Sequence, residues 1–444
     1  MDFIFICTLL LCGRFTCFFI KEINLENSRL ILIIFVCTKI LIYLIERFLG
    51  HINRKYYLNQ DNQEKALKTL SIPRSELDKS LSYAKDKYIF SYYSNIVGLT
   101  LLLAFIILGG LGYCESLVES WFDSLLFQGL GFFAIIGILS FIIELPFSYY
   151  ETFVVEQKHG FNTQTPKGFW IDTIKGLVVS TILMGLILVV VLSIMDRAGT
   201  YWWIWGFIAV TMISLITTWL YPVLLAPIFN KFTPLDDGSL KTSILELASK
   251  INFPTDGIFV MDASKRSTHG NAYFTGIFKK KRIVLFDTIL KDLTDDQIVA
   301  VLGHELGHFK LHHVRKNLIK SFIISFITFY LISLTVNFRD FYLAFGFSGT
   351  SSYATLTVFG LWFSMVNFLL VPVANWFSRR DEFKADSFAC ECGPDFSSNL
   401  SQALLKLTTT NKSVPIVHPW YSFVYFSHPQ LIERLSKIKE HSSK

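Results

Sequence analysis

The sequence predicts an all-α, multi-pass membrane protein of seven long helices with a metal-binding domain on the cytoplasmic side. Three observations predict it. The chain has 444 residues, 52% hydrophobic and only 17% charged, with a mean hydropathy of +0.45, whereas soluble domains carry about 25% charged residues. Its apolar residues fall into runs long enough to cross about 30 Å of hydrocarbon as helices. Between two such runs stands His304-Glu305-Leu306-Gly307-His308, an H-E-x-x-H pattern.

The crossings are expected near residues 30–48, 92–111, 125–147, 174–192, 202–225, 318–336 and 353–373. Several approach 25 residues, which implies tilt or extension beyond the bilayer. The run 1–20 contains Cys7, Cys12, Cys17 and Arg14 and lacks a basic region followed by a small-residue cleavage site. It reads as an interfacial or extra spanning segment rather than a signal peptide. Lys39 and Asn367 interrupt apolar spans and are expected to face protein or water.

Orientation follows from charge. The 49–90 loop carries Arg54, Lys55, Lys65, Lys68, Arg74, Lys79, Lys85 and Lys87, while 115–123 has acids and no lysine or arginine. Positive-inside bias puts the basic loop, 148–173, 226–317 and the C-terminal region on the cytoplasmic side. The histidine motif and the segment after the last crossing therefore share one side. The net charge of +6 fits an anionic leaflet. Without zinc-finger spacing or an RNA-binding aromatic signature, nothing points to nucleic acid. The seven cysteines lie mostly in apolar or cytoplasmic contexts and read as free thiols. Cys390-Glu391-Cys392 is spaced too closely for an ordinary zinc pair.

The motif needs a helix. Thr294, Asp295, Asp296 and Gln297 have the form of a capping box with acids in the first turn. Ile298, Val299, Leu302, Leu306 and Phe309 then give an apolar face, and the helix is expected to run to about His312. Histidines four apart rise about 6 Å on one face and reach a common metal. Glu305 is placed to act as general base on a water activated there, so the motif reads as a zinc peptidase signal. A third ligand from the same straight helix, such as His312, would lie about 12 Å from the first. Glu382, after the last crossing, is the candidate third ligand, with Asp381 its nearest competitor. Two histidines and one carboxylate leave the fourth zinc position open. Asp386, one turn on, is placed to accept from the outer nitrogen of a ligating histidine. The 264–276 stretch before the strand-like run 282–287 reads as an edge strand able to pair with a peptide, or as a plain hairpin. His428 suits donation to an oxyanion, and Arg434 suits pairing with Glu382 or Asp386.

The chain resembles the CaaX prenyl protease 1 (Ste24-type) membrane zinc metalloproteases of peptidase family M48. The resemblance is carried by residues 152–162, 226–235, 264–276, 282–288, 304–308 and 382–386, and by His428-Pro429 with Glu433-Arg434-Leu435. It implies seven helices enclosing an intramembrane chamber, with a zincin-like domain and one zinc ion at its cytoplasmic end. It further implies His304, His308 and Glu382 as ligands, Glu305 as catalytic acid/base and His428 as transition-state support. Arg434 would hold the carboxylates, and Asn271, Ala272 and Tyr273 would belong to a substrate-pairing strand. The implied activity is removal of the last three residues from prenylated CaaX proteins, with a second N-terminal cut in some members. Gln157 stands where similar proteins often carry a charge.

The expected divisions are 1–29, an N-terminal segment; 30–225, five crossings; 226–317, a catalytic region; 318–376, two crossings; and 377–444, a second catalytic region. The enzyme is expected to work as a monomer in the bilayer, either the endoplasmic reticulum or inner nuclear membrane of a eukaryote or a bacterial inner membrane. Two other readings are a membrane quality-control zinc protease without prenyl preference and a metal-binding channel or transporter.

Overall fold

The computed structural model describes residues 25–275 and 281–442, so the 1–20 segment lies outside the described residues. Among these, seven helices of 23 to 39 residues are long and apolar enough to cross a membrane. At 1.5 Å per residue they measure about 35–58 Å, so they outrun the hydrocarbon and project beyond it. The first five crossings are built on α1 (Leu25–Leu58), α2 (Arg74–Ile107), α3 (Leu125–Tyr150), α4 (Pro166–Arg197) and α5 (Trp202–Leu220). The second stops short of the expected residue 111 because Gly109 takes a positive φ of 75°, a turn glycine adopts without a Cβ penalty. Both α3 and α5 run on into π-helical turns, Glu151–Glu156 and Tyr221–Leu225.

The chain then leaves the spans for α6 (Ser239–Ile251), α7 (Asp295–Lys310) and a four-stranded sheet, and returns through α8 (His313–Thr335) and α9 (Ser352–Cys390). It ends with α10 (Phe396–Thr410) and α11 (Leu431–Ser442). The sheet comprises β1 (Phe232–Pro234), β2 (Thr255–Met261), β3 (Ala272–Thr275) and β4 (Lys281–Phe286), in the order β1-β2-β4-β3. β2 and β4 are parallel, and both outer strands are antiparallel to their neighbours. The edge strand and the strand-like run expected from the sequence are β3 and β4 of this sheet.

The spans form a ring that α9 also crosses, touching α3 and α4 as well as its neighbours. α1 touches α2 and α9; α9 touches α8; α8 touches α5; and α5, α4 and α3 follow in sequence. The helix Gly110–Trp121 and the Glu151–Glu156 turn close the gap between α3 and α2. Over its most apolar stretch no span has more than 11% of its residues buried against protein. A tightly packed bundle buries roughly two in seven. Packing concentrates at the ends instead. One end is sealed by Phe35, Phe132, Phe345, Phe347 and Tyr353. At the other, α6, the sheet and α7 share a core around Ile244, Ile283, Leu285, Leu302 and Leu306.

The Ser378–Asp386 run does not open a separate helix. It is the tail of α9, the 39-residue helix that also carries the last crossing. No glycine or proline interrupts it there. Arg379 anchors the tail by donating to the carbonyls of Ser422 and Phe426.

Candidate metal centre and active site

α7 begins as its sequence dictates. Thr294 Oγ1 accepts from the Gln297 amide at 3.4 Å and Gln297 Oε1 accepts from the Thr294 amide at 3.2 Å, a complete capping box. Ile298, Val299, Leu302 and Leu306 are buried in the core, which fixes the rotation of the helix. α7 ends at Lys310, two residues before the expected His312, because His312 adopts φ 58°, ψ 29°. His312 itself is exposed.

The tail of α9 crosses α7 at Gly307, where an added Cβ would stand 3.2 Å from the Ala385 Cα and 3.2 Å from its carbonyl oxygen. That close approach sets Glu382 against both histidines. His304 Nε2 and His308 Nε2 are 3.2 Å apart, His304 Nε2 lies 3.4 Å from Glu382 Oε2, and His308 Nε2 lies 3.3 Å from Glu382 Oε1. Ligands at about 2.0–2.1 Å around a tetrahedral ion are separated by about 3.3 Å, so the spacing suits zinc. Glu382 Oε2 is buried and lacks a hydrogen-bond partner among the described residues. Such an orphaned oxygen is costly unless a cation satisfies it. His304, His308 and Glu382 are therefore positioned to hold a single divalent ion, consistent with one zinc per chain.

The surrounding charges are ordered. Asp386, 2% exposed, stands 2.8 Å from His304 Nδ1, which turns Nε2 toward His308 and Glu382. Arg434 donates to both Asp386 oxygens, at 2.6 Å and 2.9 Å. Of the two partners open to Arg434 in the sequence, the structure selects Asp386. Burial lowers the His304 pKa, but the hydrogen bonds to Asp386 and Glu382 outweigh it and bring it to about 9 in the metal-free site. Burial pushes Glu305 above the ordinary carboxylate range, partly offset by His304 and His308. His428 Nε2 approaches Glu382 Oε1 to 3.5 Å, its ring open to the space beside the cluster.

Asp381 is not among the clustered ligands; it lies 3.4 Å from His313 Nε2. Asn271, Ala272 and Tyr273 sit at the outer strand, where Ala272 and Tyr273 pair with Leu285 and Val284 of β4. The edge strand and the hairpin are therefore the same element, and β3 also packs on α7. Gln157 is exposed and accepts from Asn162 Nδ2 at 2.8 Å. Lys39 donates to Ser364 across to α9 at 2.7 Å. Cys37, Cys114, Cys390 and Cys392 are free thiols. Nothing in the sequence singles out His313, yet its Nδ1 lies 3.1 Å from His308 Nδ1. Its signal, a left-handed residue at position 312, is not visible in residue type.

Residues 53–231 match the family described as CAAX prenyl protease N-terminal, five membrane helices, and residues 234–442 match peptidase family M48. A CAAX prenyl protease 1 homolog of Oryza sativa subsp. japonica is 36% identical over 433 residues, covering 92% of this chain and 97% of its own. One from Homo sapiens is 34% identical over 444 residues, covering 90% and 93%. The crystal structure of S. mikatae Ste24p superposes with a TM-score of 0.85 at 32% identity, covering 92% of this chain and 99% of that one.

Proposed function

This chain belongs to the CAAX prenyl protease 1 family of M48 peptidases and is a multi-pass zinc metalloendopeptidase, and from that premise we propose that it removes the last three residues from prenylated CaaX proteins. The observation that carries the reading is the convergence of His304, His308 and Glu382 at one end of a ring of membrane-length helices.

A zinc ion bound there would supply Lewis acidity toward a carbonyl and a water at neutral pH. His304, His308 and Glu382 would hold it. Glu305 takes a proton from the attacking water as the new C–O bond forms, then passes it to the departing amine as the C–N bond breaks. Its raised pKa suits both halves of that transfer. His428 donates to the oxyanion that develops on the carbonyl oxygen. Asp386 accepts from His304 Nδ1–H and keeps the ring in its ligating tautomer, while Arg434 holds Asp386. The 271–273 segment lends its outer backbone edge to an extended substrate.

The regions 226–317 and 377–444 act together as the catalytic part, with 30–225 and 318–376 as the membrane part. The sparse packing along the spans supports a chamber between them that takes an apolar prenyl chain, while the peptide reaches the metal at the chamber's end. The lysine-rich and arginine-rich 49–90 loop supports a site facing the cytoplasm. The clustered ligands come from one chain, which supports function as a monomer.

The test uses purified protein in detergent and two peptides, one farnesylated at the CaaX cysteine and one unmodified, with products read by mass spectrometry. Release of the last three residues from the farnesylated peptide alone, abolished by chelation, is the expected result. Equal cleavage of both peptides would replace the assignment with a broad-specificity membrane protease.

A further inference from the structure

We propose that His313 is the positioning residue of His308: it accepts a hydrogen bond from His308 Nδ1–H and is itself oriented by Asp381, a relay of two imidazoles and a carboxylate. The inference deepens the zinc assignment above and rests on it.

The two clustered histidines have different surroundings. His304 has a carboxylate directly against its outer nitrogen, Asp386 at 2.8 Å. His308 has no carboxylate there; the atom facing its Nδ1 is His313 Nδ1, at 3.1 Å. The rings meet edge-on, with centroids 5.1 Å apart and planes at 71°. Neutral His308 offering Nε2 to a metal carries its proton on Nδ1. His313 Nδ1 must then accept, which leaves the His313 proton on Nε2. That atom is buried, lacks a hydrogen-bond partner among the described residues, and faces Asp381 Oδ1 at 3.4 Å. The protons thus point one way along the chain, from His308 toward Asp381. A buried N–H oriented only by a nearby carboxylate has a single favourable sense, so Asp381 selects the His313 tautomer and His313 selects that of His308.

The backbone is bent to make this contact. On a continuous α-helix, residues five apart point about 140° away from each other. His313 would face away from His308. The left-handed conformation of His312 ends α7, restarts the chain as α8 and turns His313 back under the motif, where its side chain is 2% exposed. A non-glycine residue in that region is strained and persists where surrounding contacts hold it.

The full-length protein, stripped of metal, is titrated with zinc against a competing chelator. His313→Phe keeps a planar ring and removes the acceptor. It is expected to weaken zinc binding about 10- to 100-fold. His313→Asn places an amide oxygen near the position of Nδ1 and is expected to recover most of that loss, although both substitutions are uncharged. The cobalt-loaded His313→Phe protein should also show shifted visible bands. Wild-type zinc affinity in His313→Phe, or equal losses in the Phe and Asn variants, overturns the proposal. If His313→Phe does not fold, His313→Leu makes the same comparison with His313→Asn. The zinc assignment fails separately: a wild-type protein that does not bind zinc defeats it, whereas a tight wild type with unaffected variants defeats only the role of His313.

Discussion

Glu305 is the residue at which the proposed chemistry and metal binding can be told apart by experiment, because it stands beside the cluster without belonging to it. Glu305→Gln is expected to lower kcat/KM by about 10²- to 10⁴-fold while zinc content stays at one per chain. Comparable losses of zinc and activity would reassign Glu305 as a ligand. His304 gives a pH dependence. Its metal-free pKa of about 9 means the empty site holds a proton at neutral pH that zinc must displace. Zinc affinity should therefore rise from pH 6 toward pH 9, with proton release detectable by calorimetry in buffers of different ionisation enthalpy; a flat profile would contradict it. At this scale His304, Glu305 and His308 were legible because four-residue spacing on a helix is a local rule. Glu382 was legible from the chemistry its site requires. The His308–His313 contact was not, since it depends on the backbone reversal at His312.

At the scale of elements, the site is a crossing of two helices. In an isolated helix, replacing glycine removes a cost of about 1 kcal/mol. At Gly307 that gain is opposed by contact with the Ala385 backbone and with Phe388, whose Cδ1 lies 3.1 Å from an added Cβ. Gly307→Val is expected to push α9 from α7, destabilise the fold by about 1–3 kcal/mol and lower zinc affinity at least tenfold. Thermal unfolding and zinc titration check the two parts, and an unchanged zinc affinity would mean that another contact sets the crossing. The start of α7 was readable because a capping box is written in four adjacent residues. The unbroken run of α9 was not, because a switch from apolar to charged composition marks the edge of a bilayer and leaves helix continuity undetermined. The two differ because local hydrogen bonds are encoded nearby, while continuity depends on what the helix meets.

On the scale of the molecule, hydropathy revealed the seven crossings, and charge asymmetry argues for the side on which the loops gather. Neither reveals which helix neighbours which, so the ring order and the sheet order β1-β2-β4-β3 emerged only in three dimensions. That order does chemical work. His304 and His308 precede the last two crossings and Glu382 follows them, so the ligand set closes only if α8 and α9 bring the chain back to α7. Zinc-edge anomalous diffraction from crystals of the whole chain tests this most directly. One peak per chain is expected, about 2.0–2.1 Å from a nitrogen of His304, a nitrogen of His308 and a carboxylate oxygen of Glu382. A peak elsewhere, or one coordinated without Glu382, would contradict it.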